Sequence, residues 1–390
     1  MVKKILRRTI FSPLDAILKD SRSVGIILFS CAIISLAFSN WAFTSSYSTI
    51  WLRELNVSNS FHLPHTLLHW INDGLMSIFF FLVGMEIKRE ILTGELSSVR
   101  KSLLPIGAAI GGMIFPAIIF YSFNNGTEFV RGWGIPVATD IAFSLGIATL
   151  LGPRVPMSLK IFLTALAIID DLGAIVVIAI FYGSGFHLMY AGLAVGIIVL
   201  LLLLLFLKVR FGMIQILLGL CLWYCVFNSG IHATIAGVIF AFTVPTANLD
   251  KLEHLFHKPV NFLILPLFAL ANTAIILPRE ILSAIDTGLS WGIVFGLFIG
   301  KPLGIIFACF VLVKMKWGEL PAGVGWPQMV GIGLLAGIGF TMSIFIAMLA
   351  FSEHELQNIS KIGVLLGSII SIVAGLICLG YFGKRLTEPQ

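Results

Sequence analysis

The sequence predicts an all-α polytopic membrane protein with twelve transmembrane helices. Three observations carry this. Of its 390 residues 58% are hydrophobic and only 11% are charged, whereas soluble domains carry about 25% charged residues. The charges bunch between apolar runs long enough to cross a bilayer as helices, which takes about 20 residues. The basic residues also fall on alternate loops, as the positive-inside rule requires. A soluble protein of this composition would lack the charge to cover its surface. Outer-membrane barrels show short alternating segments instead of long runs. The loops are short, so 1–390 reads as one integral membrane domain.

Taken in order, the first span, 24–42, is the apolar run "VGIILFSCAIISLAF" behind a basic tail. A long loop at 43–65 contains "SYSTIWLREL", whose aromatic and β-branched residues suit either an outer hairpin or an interfacial loop. The second span, 66–85, runs into "GMEIKRE". The third, 102–122, holds the small-residue stretch "GAAIGG". The fourth, 134–151, is interrupted in "RGWGIPVATDIAFSLGIATLLG" by Pro136, Thr139 and Asp140. The fifth, 158–183, carries two adjacent acids. The sixth, 188–207, is Leu-rich throughout, and only "NSG" separates the seventh, 211–227, from the eighth, 230–247. The ninth is 259–277. The tenth, 290–313, contains "GKPLG" and with it Lys301. The eleventh, 329–350, has Gly337 and Gly339 near its middle, and the twelfth is 359–380.

Loop charge tests this count. Lys3, Lys4, Arg7, Arg8, Lys19, Arg22, Lys88, Arg89, Arg100, Lys101, Arg154, Lys160, Lys208, Arg210, Lys251, Lys258, Lys314, Lys316, Lys384 and Arg385 all fall on one side. The other side holds only Arg53, Arg131, Arg279 and Lys361. That bias places both termini in the cytoplasm. Only Lys301 remains, inside a span. The net charge of +6 is explained by this bias and calls for no nucleic acid. The five cysteines lie in apolar runs without metal-ligand partners and read as small core residues.

Two interrupted spans, the fourth and the eleventh, occupy matching places in two three-span units, 102–183 and 290–380. Transporters built from inverted-topology repeats carry broken helices in this way. In the fifth span, "LTALAIIDDLGAIVVIAIF", Asp170 lies about 18 Å along the helix axis. That is near the middle of a hydrocarbon core about 30 Å thick, where an ionised carboxylate costs roughly 2.5–3.5 kcal/mol. Adjacent helical side chains point about 100° apart. Asp170 and Asp171 therefore cannot face one partner together. Lys301 lies roughly 16 Å into the tenth span and needs a counter-charge. The simplest arrangement sets it beside Asp170 or Asp171, with Asp140 and Thr139 close by. Three acids and one base at mid-depth leave net negative charge in a dry place, which suits a hard cation: Na⁺, Li⁺, Ca²⁺ or H⁺. A purely structural polar knot would use Ser, Thr or Asn at lower cost. An intramembrane aspartyl protease would need two facing aspartates and has no use for Lys301 or a third acid.

A second cluster sits at span ends. Glu86 and Glu90, at i and i+4, share a face. Glu253, His254 and His257 precede the ninth span, and His232 begins the eighth. Glu86, Glu90, His232, Glu253 and His257 are candidates for a proton-sensitive cytoplasmic mouth.

The segments "FFFLVGMEIKREILTGELSS", "GWGIPVATDIAFSLGIATLLG", "LTALAIIDDLGAIVVIAIFY", "GIHATIAGVIFAFTVP", "HKPVNFLILPLFALAN", "GKPLG" and "GIGFTMSIFIA" resemble, in order, the signatures of the bacterial NhaA family of sodium/proton antiporters. The resemblance implies a single transporter domain and no enzyme. It implies twelve helices in an inverted repeat of helices 3–5 and 10–12, with broken helices 4 and 11 crossing near the centre. Asp171 would be the principal sodium-binding carboxylate, with Asp170 its neighbour, paired with Lys301 in the inactive form. Asp140 and Thr139 would sit at the fourth-helix break. Glu86, Glu90, His232, Glu253 and His257 would serve cation entry and pH response. The resemblance also implies pH-regulated, electrogenic exchange in the bacterial inner membrane, two protons entering for each Na⁺ (or Li⁺) leaving. The second proton is left to either Asp170 or Lys301. No cofactor and no organic substrate are expected. The partners are the lipid bilayer and a second copy, met through the 43–65 hairpin. The alternative reading is a sodium-coupled symporter of an organic solute.

Overall fold

The structure is a computed structural model that describes residues 21–41, 46–55, 62–183, 185–277 and 286–383. Lys3, Lys4, Arg7, Arg8, Lys19, Arg279, Lys384 and Arg385, used above for orientation, lie outside the described residues. Eight described helices are long and apolar enough to cross a membrane, and two bent pairs raise the number to ten. The long helices are α1 (Ser21–Asn40), α2 (Leu67–Leu92), α3 (Val99–Asn124), α6 (Met157–Phe181), α7 (Leu188–Phe206), α10 (Thr246–Asn272), α11 (Gly288–Lys314) and α14 (His354–Phe382). The first bent pair is the 3₁₀ helix α4 (Glu128–Val137) with α5 (Ile141–Leu150), turned by 44°. The second is α12 (Trp326–Ala336) with α13 (Phe340–Ala350), turned by 45°. Two shorter apolar helices, α8 (Met213–Asn228) and α9 (Thr234–Thr243), complete the set.

The chemistry of the sequence accounts for these elements. Pro136 sits in the last turn of α4 and the Gly337–Gly339 pair ends α12. Both features weaken helix continuation where each bend occurs. Within a bilayer the helices gain no hydrophobic energy by meeting, so close packing at small residues holds them. The "GAAIGG" and "GKPLG" stretches do this for α3 and α11. A Cβ on Gly304 would collide with the backbone carbonyl of Gly111, and one on Gly111 with that of Gly304. Phe80, Phe120, Phe143, Phe268 and Phe345 fill the interior, while Leu193, Val199, Leu203 and Phe206 of α7 face outward.

One expectation changes. The ninth span was expected to start at 259, yet α10 is helical from Thr246 and includes the "LEHLFHKP" stretch. Leu, Glu and Lys are good helix formers, and an apolar window marks only the membrane-embedded part of such a helix. In the 43–65 loop the described part of "SYSTIWLREL" is a short helix, Tyr47–Trp51, followed by a single antiparallel bridge between Glu54 and Thr66. Residues 56–61, which would close an outer hairpin, lie outside the described residues.

Candidate functional site

The two bends lie against each other at the centre of the molecule. A broken helix leaves backbone donors and acceptors without ladder partners, and in a bilayer they need protein partners. Each break supplies them for the other. Asp140 N donates to Ile338 O at 2.7 Å. The Ser343 hydroxyl donates to Ile135 O at 2.6 Å. The Thr139 hydroxyl lies 2.7 Å from both Ala336 O and Asp170 Oδ2. It has one proton and donates to one of them at a time.

Asp140 is the N-cap of α5. Its Oδ1 accepts from Phe143 N at 3.0 Å. Its Oδ2 accepts from Thr341 N at 3.0 Å and from the Thr341 hydroxyl. A carboxylate so placed satisfies orphan amides and complements a helix N-terminus. Asp140 thus ties α5 to α13. Lys301 does the opposite job. It is fully buried, lies 2.5 Å from Asp170 Oδ2, and donates to Val137 O at the C-terminal end of α4. A single wide π turn, Gly296–Gly300, immediately precedes it, a feature common at functional sites.

Asp171 is 1% exposed, and its Oδ1, like that of Asp170, is buried with no hydrogen-bond partner; Asp170 is tied through Oδ2 to Lys301 and Thr139, and Asp171 is not. Its charged neighbours are Asp170, Asp140 and Glu86, with Lys301 as the cation. It lines a cavity of about 150 Å³ whose wall also includes Asp140, Thr341, Glu86, His257 and Asn261. The 100° offset between adjacent residues is visible here: Asp170 points to Lys301 and Thr139, Asp171 into the cavity. A buried carboxylate oxygen without a donor is costly. It is relieved by a proton or a hard cation, and the oxygens of Asp140 and Thr341 in the same wall are of the type such cations prefer.

The cavity leads to the end of α2 that carries Glu86. There Arg89 Nη1 pairs with Glu253 Oε2 at 2.5 Å and Arg89 Nη2 with Glu90 Oε1 at 3.4 Å. Lys88 Nζ donates to Phe242 O at 2.7 Å and Val244 O at 2.6 Å, closing the C-terminal end of α9. An Asn261 amide sits 3.2 Å from the His257 ring. A second, wider cavity of about 900 Å³ opens at the opposite end of α2, among His69, Asp73, Arg131, Tyr182 and His187.

Comparison with known proteins agrees with this arrangement. The family model described as "Na+/H+ antiporter 1" matches residues 15–379. The chain is 47% identical over 378 residues to the Na(+)/H(+) antiporter NhaA 2 of Flavobacterium johnsoniae, covering 95% of this chain and 93% of that protein. It is also 47% identical to the Na(+)/H(+) antiporter NhaA of Cytophaga hutchinsonii, covering 95% of each, and to that of Citrobacter koseri, covering 90% of this chain and 94% of that protein. The chain belongs to the NhaA family. The NhaA proteins it matches are named as antiporters, which are transporters and not enzymes.

In this NhaA-family chain the structure brings Asp171, Asp170, Asp140, Thr139 and Lys301 together. It also gathers Glu86, Glu90, Glu253 and His257 at one end. His232 is a correction. It lies in the wall of the opposite cavity, with Nε2 2.6 Å from Tyr182 O. The reason is topological: α9 runs from His232 toward Val244, and it is Val244 that meets Lys88. Loop alternation alone held the signal, since 228–233 falls on the same side as Arg131. Thr341 and Asn261 were not singled out from sequence. Thr341 follows the Gly337–Gly339 pair as Thr139 follows Pro136, and that parallel could have found it.

Proposed function

We propose that this chain is an inner-membrane antiporter that exports Na⁺, or Li⁺, in exchange for H⁺. One observation carries the reading: Asp171 has a buried carboxylate oxygen without a protein partner, in a cavity that runs to Glu86 and His257. Sodium and protons compete for these oxygens. A cation entering past Glu86 displaces a proton from Asp171, and Thr341 and Asp140 offer further oxygens. The Asp170–Lys301 pair and Thr139 stand beside the site. When Asp170 is protonated the pair loosens, and the Thr139 hydroxyl is free to turn to Ala336 O. Two protons for each sodium would make the exchange electrogenic, with Asp171 one carrier and Asp170 or Lys301 the other.

The reading includes twelve membrane helices, counting each bent pair once and adding α8 and α9, with both termini in the cytoplasm. It includes an inverted repeat, 102–183 against 290–380. The order of a long helix, a bent pair and a second long helix in both units supports it. Alternating access would then be a movement of the crossed breaks relative to the rest. pH regulation by Glu86, Glu90, Glu253 and His257, and a homodimer, belong to the same proposal. The symporter alternative is disfavoured by size. About 150 Å³ is small beside the roughly 300–1,000 Å³ of sites for organic ligands.

The test is Na⁺-dependent proton movement in everted membrane vesicles containing the protein, followed with a pH-sensitive dye. Addition of Na⁺ should dissipate a preformed pH gradient. No response anywhere from neutral to alkaline pH would defeat the proposal.

A further inference from the structure

The wider cavity has Tyr182 in its wall and does not include Asp171. Tyr182 follows α6 directly and is 8% exposed. Its phenol donates to Arg131 O at 2.8 Å and accepts from Gly134 N at 3.2 Å. Both partners belong to α4, three residues apart, which is the spacing of a 3₁₀ ladder. Beside it, Trp133 of α4 meets Phe181 edge to face, 5.1 Å between centroids. Tyr182 is also held through its backbone, since its carbonyl accepts from His232 Nε2 at 2.6 Å. Gly134 leaves the phenol just enough room: a Cβ there would lie 2.7 Å from the Tyr182 oxygen.

α4 needs such support. It is a ten-residue 3₁₀ helix, whereas 3₁₀ runs beyond three or four residues are uncommon because their hydrogen bonds are poorer. At 2.0 Å per residue it spans about 20 Å; as an α-helix it would span about 15 Å. Relaxation would therefore pull the break at 138–140, where Thr139 and Asp140 sit, by roughly 5 Å.

We propose that Tyr182 is a positioning residue, a latch that holds α4 in its extended 3₁₀ form and keeps the route from Asp171 to the wider cavity closed. Opening that route requires the phenol to leave Arg131 O and Gly134 N. This rests on the exchange reading for its meaning in transport, but the latch itself is a statement about α4.

The test compares wild type with Tyr182→Phe in hydrogen–deuterium exchange, read over the 128–137 segment of the purified full chain. The variant should take up deuterium there at least about threefold faster, with the 141–150 segment unchanged. In everted vesicles its KM for Na⁺ should rise about threefold or more, because fewer molecules present the site to the Glu86 side. The midpoint of Na⁺-induced proton release in detergent, where both sides are accessible, should stay within about twofold. Should Tyr182→Phe not fold, Gly134→Ala, which displaces the phenol sterically, should give the same pattern. Unchanged exchange over 128–137 in the variant that folds would overturn the latch, whatever the transport result. Absent proton release in wild type would instead overturn the exchange reading.

Discussion

Two cavities of this molecule differ in size and in what they reach, and of these the smaller has Asp171 in its wall. The cavity at the Glu86 end is about 150 Å³ and contains Asp171 in its wall. The cavity at the His232 end is about 900 Å³ and has Phe181 and Tyr182 in its wall, about eleven residues and 16 Å of helix from Asp171. Volume therefore does not decide access to the buried acids. At the Glu86 end the wall comes from α1, α2, α6 and α10 together with α5 and α13, one half of each bent pair. At the other end α4 contributes Arg131 to the wall, and its 3₁₀ turns are held by the Tyr182 phenol, the Ser343 hydroxyl and Lys301.

The comparison breaks most completely at Asp171. Asp171→Asn should lower Na⁺-dependent exchange by about 100-fold or more, since the charged ligand is worth about 3 kcal/mol. Vesicle assays read this directly, and full activity would remove Asp171 from the ion path. Next is Lys301. Its removal leaves Asp170 buried without its ion pair and Val137 O without its donor, at a cost of about 3–5 kcal/mol in stability. Lys301→Ala should show a marked fall in melting temperature in detergent, with Na⁺ affinity changing less. Comparable loss of affinity at unchanged stability would contradict that role.

Much of this was legible in the sequence. Helical membrane class, the two interruptions and the three buried acids follow from composition and from charge placed where lipid is expected. The side chains of Asp170 and Asp171 had to diverge, and they do. What sequence could not supply was which oxygen is already satisfied. Asp140 and Asp171 look alike in an apolar run, yet Asp140 accepts from Phe143 N and from Thr341 twice, while Asp171 Oδ1 has no partner. That distinction depends on contacts about 200 positions apart. His232 was placed at the wrong end because an apolar run starting with histidine does not itself say from which side it starts. The early start of α10 was hidden because Glu253, His254 and His257 are polar, and hydropathy sees only the lipid-facing part of a helix.

Two smaller effects sharpen the comparison. If one proton and one Na⁺ contend for Asp171, apparent Na⁺ affinity should weaken about tenfold per pH unit on acidification, once the proton is the majority occupant. A flat profile would argue against competition. At the two ends, Glu253→Gln removes one of the two carboxylate partners of Arg89 beside the narrow cavity and should shift the KM for Na⁺ by about threefold. His232→Gln keeps a donor for Tyr182 O and should shift it less than about twofold. The reverse order would mean that the wider opening governs entry.

Proton release from purified protein on adding Na⁺, measured in wild type and Asp171→Asn across pH, goes to the centre of this account. Wild type should release protons, and more Na⁺ should be needed at lower pH, while Asp171→Asn should release few or none. Na⁺ binding without proton release in wild type, or equal release from both proteins, would contradict the claim that the two ions contend for the Asp171 oxygens.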